Sequence, residues 1–179
     1  ITVLGRVNLV GHLPPSVAAT APTVPAANVI SLFSDAYQDI NVDTWRVDWS
    51  LSGPVSDYAV AGNVAKMYTG LTYAGIMIKN PMIDTTGMTH FHLDVYAPAG
   101  TIFRVKFGSF PVGAASIEKE LTFNASTTPA FNSGSWSALE IPLADFQFPI
   151  GWDAAHIGEL IISTTDAKLV LVDNVYFHK

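Results

Sequence analysis

From Val29 to its last residue this chain is a series of short apolar runs separated by Gly, Pro, Asn, Asp and Ser, with few stretches of helical period and helical length. Such a sequence cannot build a helical bundle, and its class is all-β. The runs place strands at 29–34, 58–61, 64–69, 73–79, 88–96, 101–107, 117–123, 136–141, 159–164 and 168–178. That number fits two packed antiparallel sheets, a β-sandwich. APAG, between Tyr96 and Thr101, reads as a hairpin turn. LADFQFPIGWDAAHIG allows one helical turn, ended by Pro149 and restarted near Asp153.

Alternation assigns faces. In MTHFHLDVY, Phe91, Leu93 and Val95 point to the core while His90, His92, Asp94 and Tyr96 point outward. Phe103, Val105 and Phe107 then alternate with Arg104 and Lys106, and Leu121 and Phe123 with Glu118 and Glu120. A hairpin register pairing Tyr96 with Ile102 puts Asp94 opposite Arg104 and gathers all three outward sets on one sheet face. That face is either a solvated surface or a groove whose planar polar side chains meet the hydroxyls of a glycan.

The closing run, LVLVDNVYFHK, carries Asp173 and Asn174 inside an otherwise apolar strand. A buried carboxylate needs a cation or several hydrogen bonds to offset its lost hydration. Asp35, Asp39 and Asp43 follow the first strand at the other end of the domain, so the two ends can supply one oxygen-rich site. Oxygen donors of this kind suit calcium, with Asp35 and Asp173 as the expected ligands. The competing assignment has Asp35 capping a turn and Asp173 meeting Lys66 or a main-chain amide. No EF-hand loop is present, so a calcium site would be discontinuous.

The chain has 179 residues, enough for one full core, and carries nine basic against fifteen acidic side chains for a net charge of −6. This balance disfavours nucleic acid and anionic membranes, which select a basic stripe, and favours a neutral ligand. With no cysteine there are no disulfides, thiolate nucleophiles or Cys-based zinc sites. No eighteen-residue apolar stretch exists, and the start lacks the pattern of a signal peptide, as in a mature protein or an excised piece. PPSVAATAPTVPAAN has the composition of an extended, semi-rigid linker. Residues 1–28 are therefore expected to be the tail of a preceding module plus a linker, and 29–179 the β-sandwich.

His90 and His92, with Asp94 continuing the row, have the two-residue spacing of metal sites on β-strands. The neighbours expected beside them, Arg104 and Lys106, repel a metal ion, so the row reads as surface residues paired to carboxylates. Catalytic signatures are missing: there is no Glu-x-Asp-x-x-Glu strand, Gly-x-Ser-x-Gly elbow, Walker loop, Rossmann fingerprint or His-Glu-x-x-His. The expectation is a protein that is not an enzyme. Aromatics offer more, because sugar rings stack their C–H faces on Trp and Tyr beside hydrogen-bonding side chains. Trp45 and Trp49 lie in NVDTWRVDWS, interleaved with Arg46 and Asp48, and Trp152 lies in another irregular segment. Trp136 opens a strand on the outward parity or plugs the sandwich edge. Carbohydrate contacts are assigned to Trp45, Trp49, Trp152, Tyr96 and Arg104.

VISLFSDAYQDINVDTWRVDWS, GMTHFHLDVYAP, SWSALEIPLADF and VDNVYFHK together resemble the noncatalytic modules attached to laminarinase-like family 16 glycoside hydrolases and to surface glycan-binding proteins of Bacteroidota. The resemblance spans residues 29–179. It implies a secreted or cell-surface β-jelly roll, covalently linked to other domains, often with a structural calcium between first and last strands. It also implies polysaccharide binding, with a β-glucan such as laminarin as ligand, and specificity set in FPVGAASIEKE and FNASTTPAFNSGS. A structural spacer or protein-interaction domain of a surface protein is the alternative, to be separated by whether Trp45, Trp49 and Trp152 are buried or form an exposed platform.

Overall fold

The computed structural model describes residues 13–179, so the tail assigned to the first dozen residues lies outside it. Ten strands form where the apolar runs placed them: β1 Val29–Phe33, β2 Val55–Val60, β3 Asn63–Thr69, β4 Tyr73–Met77, β5 His90–Tyr96, β6 Phe103–Ser109, β7 Ile117–Phe123, β8 Trp136–Pro142, β9 Ile157–Thr164 and β10 Leu169–His178. Two 3-10 turns, Ala26–Asn28 and Leu143–Phe146, complete the described elements. The larger sheet runs β2-β3-β10-β5-β8, with β1 also on β10, and the smaller runs β4-β9-β6-β7. Every pairing is antiparallel, giving the expected two-sheet sandwich of jelly-roll type.

The core is riveted by aromatic rings from both layers. Phe91 and Phe177 of the larger sheet meet Phe107 of the smaller at centroid distances of 4.9 and 5.3 Å, and Phe146 packs on Phe107 at 5.1 Å. All four are essentially inaccessible to solvent. Each such side chain stabilises the fold by about 1.5–3 kcal/mol over leaving it in water.

The expected hairpin between β5 and β6 does not form. β5 pairs with β10 and β8, β6 pairs with β7 and β9, and residues 97–100 cross between the sheets. Asp94 therefore lies opposite Asp173 and Ala138, not Arg104, which faces Thr122 and Ser163. Alternation specifies which side of a strand is apolar, and two facing sheets satisfy that pattern as well as a hairpin does. The outward residues of MTHFHLDVY thus occupy the opposite surface of the molecule from those of β6 and β7.

Asp173 and Asn174 interrupt an apolar strand because β10 changes partner there. Along one edge, Leu169–Val172 pair with β3 while Val175–His178 pair with β1. Between these sets lies a bulge, with Asn174 in the left-handed region at φ 48°. Asn tolerates that conformation better than a branched residue, and its side chain accepts from the Ser34 hydroxyl and donates to Asp94 Oδ2.

The Pro/Ala/Thr-rich stretch forms no strand and ends in the 3-10 turn Ala26–Asn28, and it lies against the outer face of the larger sheet. The Tyr96 hydroxyl donates to the Leu13 carbonyl at 3.2 Å, the Trp136 indole N–H to Val17 at 2.7 Å, the Asn174 amide to Thr20 at 3.3 Å and the Tyr37 hydroxyl to Val24 at 2.8 Å. A strap without strand partners needs donors for its carbonyls, and aromatic hydroxyl and indole groups supply them. Beneath it, Tyr96, Leu171, Val60 and Ala65 form a second small apolar cluster. Tyr96 and Asp94, expected to face solvent, are consequently buried.

Candidate functional site

With one outer face strapped, the outer face of the smaller sheet remains open. Its register sets out a lattice. One row across the sheet reads Gly75, Ile161, Lys106, Glu120; the row on one side reads Tyr73, Ser163, Arg104, Thr122, and on the other Met77, Glu159, Gly108, Glu118. Three strand spacings of about 4.8 Å make this face roughly 14 Å wide, the reach of a short oligosaccharide. The groove along it has a volume of about 460 Å³.

One wall is aromatic. Residues 43–51 run along the free edge of β4, with Val47 N–H donating to Gly75 at 3.0 Å and the Gly75 N–H to Ser50 Oγ at 3.1 Å. The segment then folds Trp49 back over the strand. A Cβ built on Gly75 would stand 2.2 Å from the indole, so only glycine lets the ring lie this close to β4. Tyr73 lies beside it, with centroids 6.3 Å apart and planes tilted by 32°. Trp49 keeps 50 % of its surface exposed. With exposed Tyr73 beside it, the ring forms a contiguous aromatic patch rimmed by polar side chains, the kind of surface that marks a binding site.

The other wall is polar. Lys106 Nζ lies 3.1 Å from Glu118 Oε2, and Arg104 Nε 3.8 Å from Glu120 Oε1. Both are diagonal cross-strand pairs, and they hold four long side chains upright over β6 and β7. Glu159, at the groove floor, is buried; desolvation and then Glu118 push its carboxyl above the usual range, while Lys79 and Lys106 oppose the shift. A raised folded-state pKa stabilises fully below the ordinary value of 4.5, and the contribution is lost as pH rises through the elevated value. Glu159→Gln is expected to raise Tm at pH 8 and leave it unchanged at pH 4, read by thermal melts across that range.

The other assigned residues lie elsewhere. Trp45 is half-buried, edge-on to Phe33 at 5.7 Å, with its carbonyl accepting from the Tyr68 hydroxyl at 2.8 Å. Trp152 stacks on Phe148 at 4.0 Å beside a separate apolar pocket of about 360 Å³. Tyr96 is beneath the strap, and Arg104 stands next to the groove through its Glu120 partner. Sequence reasoning passed over Tyr73 and Glu159. The alternation of Tyr73, Gly75 and Met77 against Ala74 and Ile76 carries the signal for the first; nothing short of strand order carries it for the second.

Asp35 and Asp173 do converge. The Val64 N–H donates to Asp35 Oδ2 at 3.1 Å, and the adjacent Asn63 amide donates to Asp173 Oδ2. Asp173 Oδ1 accepts from the Asn174 N–H at 2.7 Å. Lys66 is engaged by Asp57 and does not serve Asp173. Burial first, and then Asp94 and Asp35 as like charges, push the Asp173 carboxyl up to about 6. Asp94, the third carboxylate of the group, is met by His92 Nε2 at 3.5 Å, while the hydrogen bonds to Asp35 and Asp173 come from amide groups.

No protein-family model matches the sequence, and neither does any curated protein. Solved structures do share the fold. A family 30 carbohydrate-binding module from a cellulosomal cellulase of Clostridium thermocellum is similar at a TM-score of 0.64 with 15 % identity, over 84 % of this chain and 97 % of that one. A second family 30 module gives 0.63 at 14 % identity, covering 84 % and 87 %. A family 11 carbohydrate-binding module from another cellulase of that organism gives 0.57 at 16 % identity, covering 84 % and 94 %.

Proposed function

We propose that this domain is a noncatalytic carbohydrate-binding module that holds a β-glucan such as laminarin along the outer face of the smaller sheet. The observation that carries this reading is Trp49, half exposed and seated on Gly75 beside Tyr73, facing a row of hydrogen-bonding side chains. Stacking on the two rings supplies affinity, and the paired charges supply donors and acceptors for hydroxyls. Three groove carboxylates, Glu118, Glu120 and Glu159, stand against the two cations Arg104 and Lys106, which favours a neutral glucan over a polyanion. The likeness to carbohydrate-binding modules supports the reading at the level of fold. A spacer domain gains nothing from an exposed indole held by a glycine.

A polysaccharide-binding role implies a secreted or cell-surface setting and covalent linkage to other domains of a larger protein. Calorimetry against laminarin, mixed-linkage glucan, xylan and alginate tests the proposal. Saturable binding to laminarin or mixed-linkage glucan, without release of reducing ends, is expected. Silence toward all four sinks it, and release of reducing ends overturns the noncatalytic part. Gly75→Ala is expected to displace the indole and weaken glucan binding about tenfold, with a smaller change in Tm, because the added methyl meets the Trp49 ring and Val47.

Calcium belongs to the same proposal as a structural ion. The donor types fit: buried Asp173 and exposed Asp35 offer hard oxygens beside one another with only amide donors on them, and turning the Asn63 amide over adds its carbonyl. Bound there, calcium would offset the like charges of Asp173 and Asp35 and tie β10 to the segment after β1.

A further inference from the structure

The histidine row of β5 has neighbours quite unlike the arginine and lysine anticipated from a β5–β6 hairpin. His90 lies directly opposite His178 of β10 and opposite Pro142 of β8, while His92 lies opposite Tyr176 and Glu140. One imidazole from each of two strands and a carboxylate from a third therefore share a patch on the outer face of the larger sheet. Donor atoms of His90, Glu140 and His178 all lie within 4.8 Å of one another. The two rings are parallel, with centroids 5.1 Å apart.

Surrounding bonds already orient these groups. His178 Nδ1 faces the Lys179 main-chain oxygen at 2.9 Å, which can only accept, so Nδ1 carries the proton and Nε2 holds the lone pair of the neutral ring. That Nε2 meets Glu140 Oε1 in a very short contact. Two acceptors face each other there, and only a proton or a cation reconciles them. His90 Nδ1 is engaged by Thr89 Oγ1 at 2.8 Å, which leaves its Nε2 as the free donor atom. The other Glu140 oxygen is fixed by His92 Nδ1 at 2.7 Å, and His92 is in turn stacked on Tyr176 at 4.7 Å. Ligand histidines held through the second ring nitrogen, and a carboxylate held through its second oxygen, are the arrangement by which proteins aim donors at a metal.

We infer that His90, His178 and Glu140 form a site for a divalent transition-metal ion of the zinc class, on the face opposite the glucan groove. Two imidazoles and one carboxylate match the ligand preference of such an ion and leave one position for water. A tetrahedral ion with bonds of about 2.0–2.1 Å needs donors roughly 3.3 Å apart, and Glu140, exposed on edge strand β8, is the ligand with room to move toward the two rings. The ion would join β5, β8 and β10 at the end of the closing strand. It shares no residue with the groove, and its donors are distinct from those of the oxygen-only site around Asp173, to which His92 links Glu140 through Asp94.

Zinc titration of the metal-stripped full chain, with calcium in excess throughout to keep the oxygen site out of the signal, tests this. One equivalent is expected to bind, and cobalt in its place to give the strong visible absorption of a four-coordinate ion. His90→Ala and Glu140→Gln, both at partly exposed positions, should each weaken zinc at least tenfold, while glucan binding stays as in the wild type. His156→Ala serves as the control, since that ring pairs with Asp153 on another part of the surface. Absence of saturable zinc binding overturns the proposal. Binding that survives both ligand variants, or that is lost with His156, overturns it equally.

Discussion

Trp49→Ala is expected to weaken glucan binding by about 2 kcal/mol, roughly thirtyfold in Kd, while Tm moves by no more than a degree or two. Trp49 and Tyr73 are the two aromatic rings lining the groove, and the larger, more exposed indole is the main place for a sugar ring to stack. Because half of the ring is already in water, the folded state loses little when it is removed. Calorimetry with laminarin or mixed-linkage glucan, paired with a thermal melt, separates the two quantities. Parallel substitutions of Trp45 and Trp152 sharpen the test. The Trp45 ring packs edge-on against Phe33 and lies under Lys66 Nζ, so its loss should cost stability before affinity. Trp152 lines a different pocket, so its loss should leave the groove intact. A Trp49 variant that binds as well as wild type would move the glucan elsewhere.

Strand positions were legible in the sequence because each strand carries its own apolar alternation, a local signal. Strand partners were not. Phe91-Leu93-Val95 and Phe103-Val105-Phe107 are each correct as core-facing sets, yet they belong to facing sheets, and no residue in 97–100 distinguishes an arch from a hairpin. That single ambiguity displaced everything built on it. It set Asp94 against Arg104 and hid the convergence of His90 with His178 and Glu140, whereas Tyr96 faces outward as its parity implies and is buried by the strap. The groove was half legible. Arg104, Lys106, Glu118 and Glu120 were placed together by parity alone, and Trp49 by its polar surroundings. Glu159 entered only with strand order, since β9 pairs with β6 across more than fifty residues of chain.

Calcium is expected to raise Tm by roughly 5–10 °C at a hundredfold excess over its Kd, because binding only to the folded state adds about 2.7 kcal/mol and a domain of this size gains about 2–4 °C per kcal/mol. Asp173→Asn should abolish that increment, and its behaviour in chelator makes the result specific. Asp173 is fully buried, and its neighbours Asp94 and Asp35 are like charges. Asparagine keeps an oxygen for the Asn174 N–H, and the Asn63 amide can turn to meet the new NH₂, so the hydrogen bonds survive while the repulsion disappears. In chelator the variant should therefore melt at or above wild type, and in calcium below it. This crossing of the two proteins is what a charge retained for a cation produces. A carboxylate retained only for its hydrogen bonds would give the same order in both buffers, and a wild-type Tm indifferent to calcium would remove the ion from the β10 bulge.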